Sequence, residues 1–337
     1  MKTLLISLLG LLLFIFGVKN TKEFQLSDDM KVHDVLKNLG DDSSQNALKS
    51  VRNANARNGY NLVHFGFAER HNGKKTKKQS KHFVCTSCHN VVKERADLNS
   101  TDPQERLDYA VKNDLPFLQG TSLYGAANRK SFYNDDYIKK YGELTLKARN
   151  DIREAIQLCA IECAQGRELK DWEIESILAY LWEIDLKIGD LNLEDSEKQL
   201  IKNAIQEKGE NNNAVDLIKS KFLDKAPATF LYPPEDRKKG LGPLGDPQNG
   251  KHIYDKSCMH CHKESRYSFF NLDDSTFSFK HLEKHIAKYS PYSIYQVARY
   301  GTSPMNGKRS YMPFYTKEKM SDQMLEDLRA YIKTKSK

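Results

Sequence analysis

The chain has 337 residues, with 53 Lys and Arg against 45 Asp and Glu, a formal charge of +8, and six cysteines. A chain of this length can bury a real core, so six cysteines are too few for a disulfide scaffold and need another explanation. With 39% hydrophobic residues, 17 Tyr and 15 Phe, the composition excludes a largely disordered chain. No internal stretch of 18 apolar residues suggests a membrane bundle.

Met1 and Lys2 precede a mainly apolar run from Thr3 to Val18, which Lys19 and Asn20 close. That is the n-region and h-region of a secretory signal, so residues 1–20 read as a signal peptide and the mature chain as periplasmic. The run is short for a bilayer span of ~20 residues. The small-x-small cleavage pattern around Gly17 is weak, however, so an uncleaved segment that tethers the protein to the membrane stays open. Removing residues 1–20 takes away Lys2 and Lys19 and no acids, leaving 51 minus 45, or +6. The basic field favours small anions or acidic partners. Nucleic acid is not expected as a partner in the exported compartment, and the Lys74, Lys75, Lys77, Lys78 and Lys81 cluster reads as a solvated loop. Residues 21–58 form a polar, partly helical extension.

Cys85-Thr86-Ser87-Cys88-His89 and Cys258-Met259-His260-Cys261-His262 are both Cys-x-x-Cys-His, the attachment pattern of c-type haem. Two thiols form thioethers to the haem vinyl groups and the adjacent histidine becomes an iron ligand. The sequence therefore implies two covalently bound haem c groups, attached at Cys85, Cys88, Cys258 and Cys261, with His89 and His262 on iron. Covalent c-type haem is attached outside the cytoplasm, in agreement with the signal sequence.

The patterned segments are helical, and strand-like alternation bounded by turn signals is scarce, so the fold class is all-α. Ile152, Ile156, Cys159 and Cys163 share one helix face, with Gly166 as a stop. Trp172 to Leu186 reads as a second helix, with Asp171 as N-cap and Gly189 beyond its end. From Lys225 to Gly250 inclusive lie five of the ten prolines and four glycines without apolar periodicity, the composition of a linker. The expected organisation is two tandem cytochrome c-type domains, residues 21–225 and 250–337, joined by a Pro/Gly-rich linker at 226–249.

Residues 250–337 resemble the compact cytochrome c fold. A helix from Asn249 to Ser257 leads into the second motif. A Met-Pro loop, Tyr311-Met312-Pro313-Phe314-Tyr315, follows, and a helix opened by Ser321 or Asp322 closes the chain with Met324, Leu325, Leu328, Tyr331 and Ile332 on its apolar face. Met312 is the expected second ligand of this haem, since a thioether raises the potential of the iron and Pro313 rigidifies the loop. Met305 competes for that place, and His281 and His285, on one helix face, are a third option.

The first motif has no histidine between His89 and His252 and no methionine between Met30 and Met259. His33, His64, His71 and His82 lie upstream, where one could give bis-histidine ligation. Downstream stand Cys159 and Cys163. A third haem is excluded, because Ala164 rather than histidine follows Cys163. Three readings compete for the pair: a disulfide between helix positions i and i+4, two inert buried thiols, or thiolate ligation of iron, with Cys159 first.

At this point the sequence resembles the dihaem thiosulfate dehydrogenase/tetrathionate reductase family, whose ligand cysteine lies in a string like Ile-x-x-Cys-x-x-x-Ser-x-Asn-Gly. Ile156-Gln157-Leu158-Cys159-Ala160-Ile161-Glu162-Cys163-Ala164-Gln165-Gly166 follows that string. Cys163 stands where a serine is expected, Gln165 where an asparagine is, and Ala155 where an arginine usually precedes the isoleucine. The resemblance implies a periplasmic oxidoreductase of sulfur metabolism, in which Cys159 bonds to the sulfane sulfur of a small sulfur oxyanion and two electrons pass through the haems to or from a partner protein. It further implies cationic groups for the sulfonate ends, for which Arg167 and Arg129 are candidates, while Cys163 is placed to act as a resolving thiol. A dihaem electron-carrier subunit of an oxidoreductase complex is the alternative from another class, and a dihaem peroxidase a weaker one.

Overall fold

A computed structural model describes residues 24–41, 45–207, 211–303 and 311–337; the signal segment 1–20 and Met305 lie outside them. The helices in chain order are α1 (Val32–Asn38), α2 (Ala56–Phe65), α3 (Pro103–Lys112), α4 (Asp135–Tyr141), α5 (Ile152–Leu158), α6 (Asp171–Glu183), α7 (Asp195–Glu207), α8 (Asn212–Ser220), α9 (Pro247–Ile253), α10 (Met259–His262), α11 (Thr276–Ile286), α12 (Ile294–Tyr300) and α13 (Asp322–Lys335). Among the described residues the β contacts are isolated bridges, as between Lys31 and Lys187, and no helix is long and apolar enough to cross a membrane.

Local chemistry sets the helix ends. The Ser321 hydroxyl accepts from Met324 N to cap α13, and Asp246 caps α9 with Pro247 in its first turn. Several boundaries differ from the sequence reading, among them the start of α9 at Pro247 rather than Asn249. Helix α6 is capped at Lys170 rather than Asp171, because the Glu173 carboxylate accepts from Lys170 N at 3.0 Å. It ends at Glu183, short of Leu186, where Asp185 turns back to accept from Leu186 N at 2.7 Å and competes with the helix ladder. The helix expected through Cys163 is regular only to Leu158 and then widens into a π-turn over Cys159–Cys163. Gly166 follows, and a Cβ there would lie 2.3 Å from the Gln79 carbonyl oxygen.

Two helix crossings organise the molecule. In the first half α2 crosses α6 at Gly59, where a Cβ would sit 1.9 Å from Ser176 O and 2.7 Å from Tyr180 Cβ. In the second half α9 crosses α13 at Gly250, where a Cβ would sit 2.0 Å from Asp327 O and 2.8 Å from Tyr331 Cβ. Each crossing thus sets a glycine against a carbonyl and a tyrosine one turn later. Leu62, Val63, Ile174, Ile177, Leu178 and Leu181 fill the core around the first crossing, and Ile253, Tyr254, Phe279, Leu325, Leu328 and Ile332 the core around the second. A third apolar cluster joins α1 to Ile188, α7 and α8, so the polar extension carries a packed helix.

The halves are docked closely. Leu107 and Ala110 of α3, together with Phe117, belong to the core of the C-terminal half, and Phe117 N donates to Lys256 O at 2.8 Å. The Pro/Gly-rich segment 226–249, read from composition as a linker, is a packed strap. Thr229 bonds Glu318, Arg237 bonds Lys288 O and Gln296, and Leu241 N bonds Glu326. Side-chain carboxylates there satisfy backbone donors that no helix supplies with partners.

Candidate cofactor and thiol site

In both motifs the histidine is oriented through its Nδ1. His89 Nδ1 lies 2.7 Å from Thr121 O and His262 Nδ1 2.7 Å from Phe270 O. A carbonyl acceptor fixes the tautomer with the proton on Nδ1 and leaves Nε2 free to bind a metal. At Gly120 a Cβ would lie 2.5 Å from both Cys88 O and His89 Nδ1, so the loop carrying Thr121 can approach only as glycine. Burial pushes the motif thiols up, to about 11 for Cys85 and Cys261, which keeps them neutral near pH 7.

The second motif opens on a cavity of about 840 Å³ whose walls include Cys258, Cys261, His262, Leu272, Leu328 and Met312. That volume falls in the range of about 300–1,000 Å³ typical of pockets for cofactor-sized ligands. The residues fit a covalent haem: two thiols and a free imidazole nitrogen on one side, a thioether in the same cavity, and aliphatic walls. Met312 is placed by a short ladder with Thr302, in which Met312 N donates to Thr302 Oγ1 at 2.8 Å and Thr302 N to Met312 O at 2.9 Å. Gly301, at φ +66°, brings its Cα close enough that a Cβ would lie 2.3 Å from Met312 O. His281 and His285 pack with one another and with Tyr292, and His281 also with Phe270, whose carbonyl lies against His262 Nδ1.

The two motifs abut. The His260 ring meets the Ser87 carbonyl, and Cys88 lies close enough to Cys261 and Cys163 that each raises its thiol, after burial. Cys159 and Cys163 are free thiols facing the first motif, and both Cys85 and Cys88 act on Cys159. The π-turn brings the pair into contact: the Cys159 thiol donates to Cys163, which raises Cys159, together with its burial, and lowers Cys163. The Tyr311 hydroxyl donates to Cys163 as well. Within the pair, then, Cys163 is the more acidic thiol. Tyr133 and Tyr137 close the surroundings, their phenols pushed up first by burial and then by Cys163.

The two arginines expected at the sulfonate ends have acceptors of their own. Arg167 spends its guanidinium on Glu173 and the Lys77 carbonyl, and Arg129 lies on the His89 side, donating to Ser122 O at 2.9 Å. Upstream, His33 stacks on Trp182, and His64 sits 3.0 Å from the Tyr180 hydroxyl in the α2–α6 packing. Tyr311, Thr121, Ser87 and His260 were missed by motif reading. Only the position of Tyr311 beside Met312 carried a signal, because the other contacts are made across long stretches of chain.

Residues 245–332 match the family model described as cytochrome C oxidase, cbb3-type, subunit III. No curated protein and no solved structure matches the chain. The family match supports a c-type cytochrome that transfers electrons and carries covalently bound haem c; Cys258, Cys261 and His262 fall within the matched residues.

Proposed function

We propose that the protein is an exported dihaem cytochrome c, with two tandem haem domains and redox chemistry of a small sulfur oxyanion at the first. The observation that carries this reading is the placement of Cys159 and Cys163 against Cys85 and Cys88, with the thiols in mutual hydrogen bonding and a third partner, Tyr311, brought from the other half. The repeated glycine crossing and the repeated Nδ1–carbonyl bond favour a second haem at His89.

Covalent haem c supplies one-electron redox capacity at each motif. The chain's own residues do the bond-making. The Cys159 thiolate attacks the sulfane sulfur of thiosulfate to give Cys–S–S–SO₃⁻ and release two electrons. A second thiosulfate attacks that sulfur, tetrathionate leaves and the thiolate is regenerated. Cys163, in contact with Cys159, takes up and returns its proton, and Tyr311 holds Cys163 in place. Tetrathionate reduction is the same sequence reversed, with a partner protein as electron donor instead of acceptor.

The test is a Cys159→Ala protein assayed for thiosulfate oxidation with an artificial acceptor, alongside low-temperature paramagnetic resonance of the oxidised wild type. Loss of turnover and low-spin thiolate signals are expected. Full turnover in the variant, with only histidine/methionine and bis-histidine signals in the wild type, would leave the electron-carrier reading, with both cysteines structural.

A further inference from the structure

At the seam of the two halves, on the His89 side of the first motif, the side chains of Arg95, Arg106, Arg129 and Lys319 gather around Glu94, and burial followed by the nearby Arg106 holds the Lys319 amine well below the ordinary lysine range. Glu94 is buried and accepts from Arg106 at 3.0 Å, with Lys319 Nζ 3.6 Å away. Arg95 and Arg129 complete the group and act on Glu94 or on one another. Arg95 also faces Glu105 and Asp97. Lys319 is 5% exposed and Arg95 9%. Arg106 leaves Nε and one terminal nitrogen buried without a hydrogen-bond partner. Among the described residues Arg129 makes one side-chain hydrogen bond, to Ser122 O, and no ion pair. Lys93 is answered by Asp190, and Glu318, a second carboxylate at the same place, accepts from Thr229 N and Oγ1.

Arg129 is left without an ion pair and Arg106 with two buried nitrogens unpartnered, and an uncompensated buried charge costs several kcal/mol. Between these groups lies a cavity of about 70 Å³ whose walls include Glu94, Arg95, Thr121, Arg129 and Lys319. A water needs about 10–15 Å³ by this measure, so several waters or a single small oxyanion fit. The wall also carries Thr121, whose carbonyl orients His89. Lys319 comes from the loop before α13, so the cavity is complete only when the halves are docked.

We propose that this cavity is an oxyanion site built by both halves, with Arg129 and Lys319 as its principal donors, and that it holds a carboxylate or small inorganic oxyanion beside the first motif. The ligand chemistry has two sources, a propionate of haem attached at Cys85 and Cys88 or a free anion such as phosphate. The potential readout below rests on the first haem proposed above, whereas the binding readout does not. Counting haem per chain beforehand separates failure of that reading from failure of this one.

The experiment uses the haem-loaded chain. Inorganic phosphate is titrated calorimetrically into the wild type, Lys319→Met and Arg129→Gln, and the midpoint potential of each haem is measured in all three. One-to-one phosphate binding, weakened at least tenfold in either variant, assigns the site to a free oxyanion. Absence of phosphate binding with a lowered potential at the first haem alone assigns it to a propionate, because removing a cation beside the iron favours the ferric state. A crystal structure of the wild-type holoprotein, which needs no variant to fold, should show an oxyanion or carboxylate within hydrogen-bond distance of Arg129 and Lys319. Water alone in that density overturns the proposal, as does absence of phosphate binding with unchanged potentials.

Discussion

Replacing Gly250 by alanine tests the crossing that positions the second motif. The added Cβ would lie 2.0 Å from Asp327 O and 2.5 Å from its carbonyl carbon, whereas ordinary contact begins at 3.4 Å. Helices α9 and α13 must therefore separate by 3.4 minus 2.0, or 1.4 Å. The obstacle is backbone, so no rotamer change relieves it. Overpacking costs about 1–3 kcal/mol, and a backbone clash belongs at the top of that range. Alanine recovers about 1 kcal/mol of helix propensity, leaving a net loss of about 2 kcal/mol. For a unit of about 90 residues, at roughly 4–8 °C per kcal/mol, that lowers the unfolding midpoint by roughly 8–16 °C. The assay is thermal unfolding of the haem-loaded protein, followed by far-ultraviolet circular dichroism and by Soret absorbance. Gly59→Ala, with its Cβ 1.9 Å from Ser176 O, should behave alike in the first half. An unchanged or raised midpoint in Gly250→Ala would refute the reasoning, since propensity alone would then govern the site.

Met312→His should keep the second haem six-coordinate while lowering its midpoint potential, because imidazole replaces a thioether; redox titration checks this, and an unchanged potential would show that Met312 is not on the iron. Burial alone would raise the Glu94 carboxyl, but Arg106 and Lys319 hold it well below the usual carboxylate range. A folded value depressed in this way adds stability that is present above the unfolded value of about 4.3 and is lost as pH falls through the folded one. Denaturant midpoints of the wild type should thus fall as pH drops below about 4.3, and Glu94→Gln should flatten that dependence. At neutral pH the same variant should lose about 3–5 kcal/mol, since it leaves Arg106 and Lys319 without their carboxylate. Identical pH slopes in the two proteins would contradict this account.

The helical class, the cap at Ser321 and both Cys-x-x-Cys-His motifs are legible in the sequence, because each rests on neighbours within a turn or on a fixed spacing. The i, i+4 relation of Cys159 and Cys163 is legible for the same reason. The π-turn over those residues is not, and neither is the close approach of Gly166 to Gln79 of a distant segment. Composition misread 226–249 as a spacer, because Pro and Gly report on missing helix and say nothing of the carboxylates on α13 and before it that bind the strap.

Sequence by itself determined the cofactor chemistry at Cys258, Cys261 and His262, where ligation is a matter of adjacent residues, and it marked Met312 by its proline. Only the tertiary structure decided what surrounds the remaining thiols. Tyr311 reaches Cys163 across the seam, Arg129 and Arg167 have acceptors of their own, and Lys319 enters a buried cluster with Glu94. Charge and hydrogen-bond energies depend on separation in space and on burial, neither of which a linear spacing encodes.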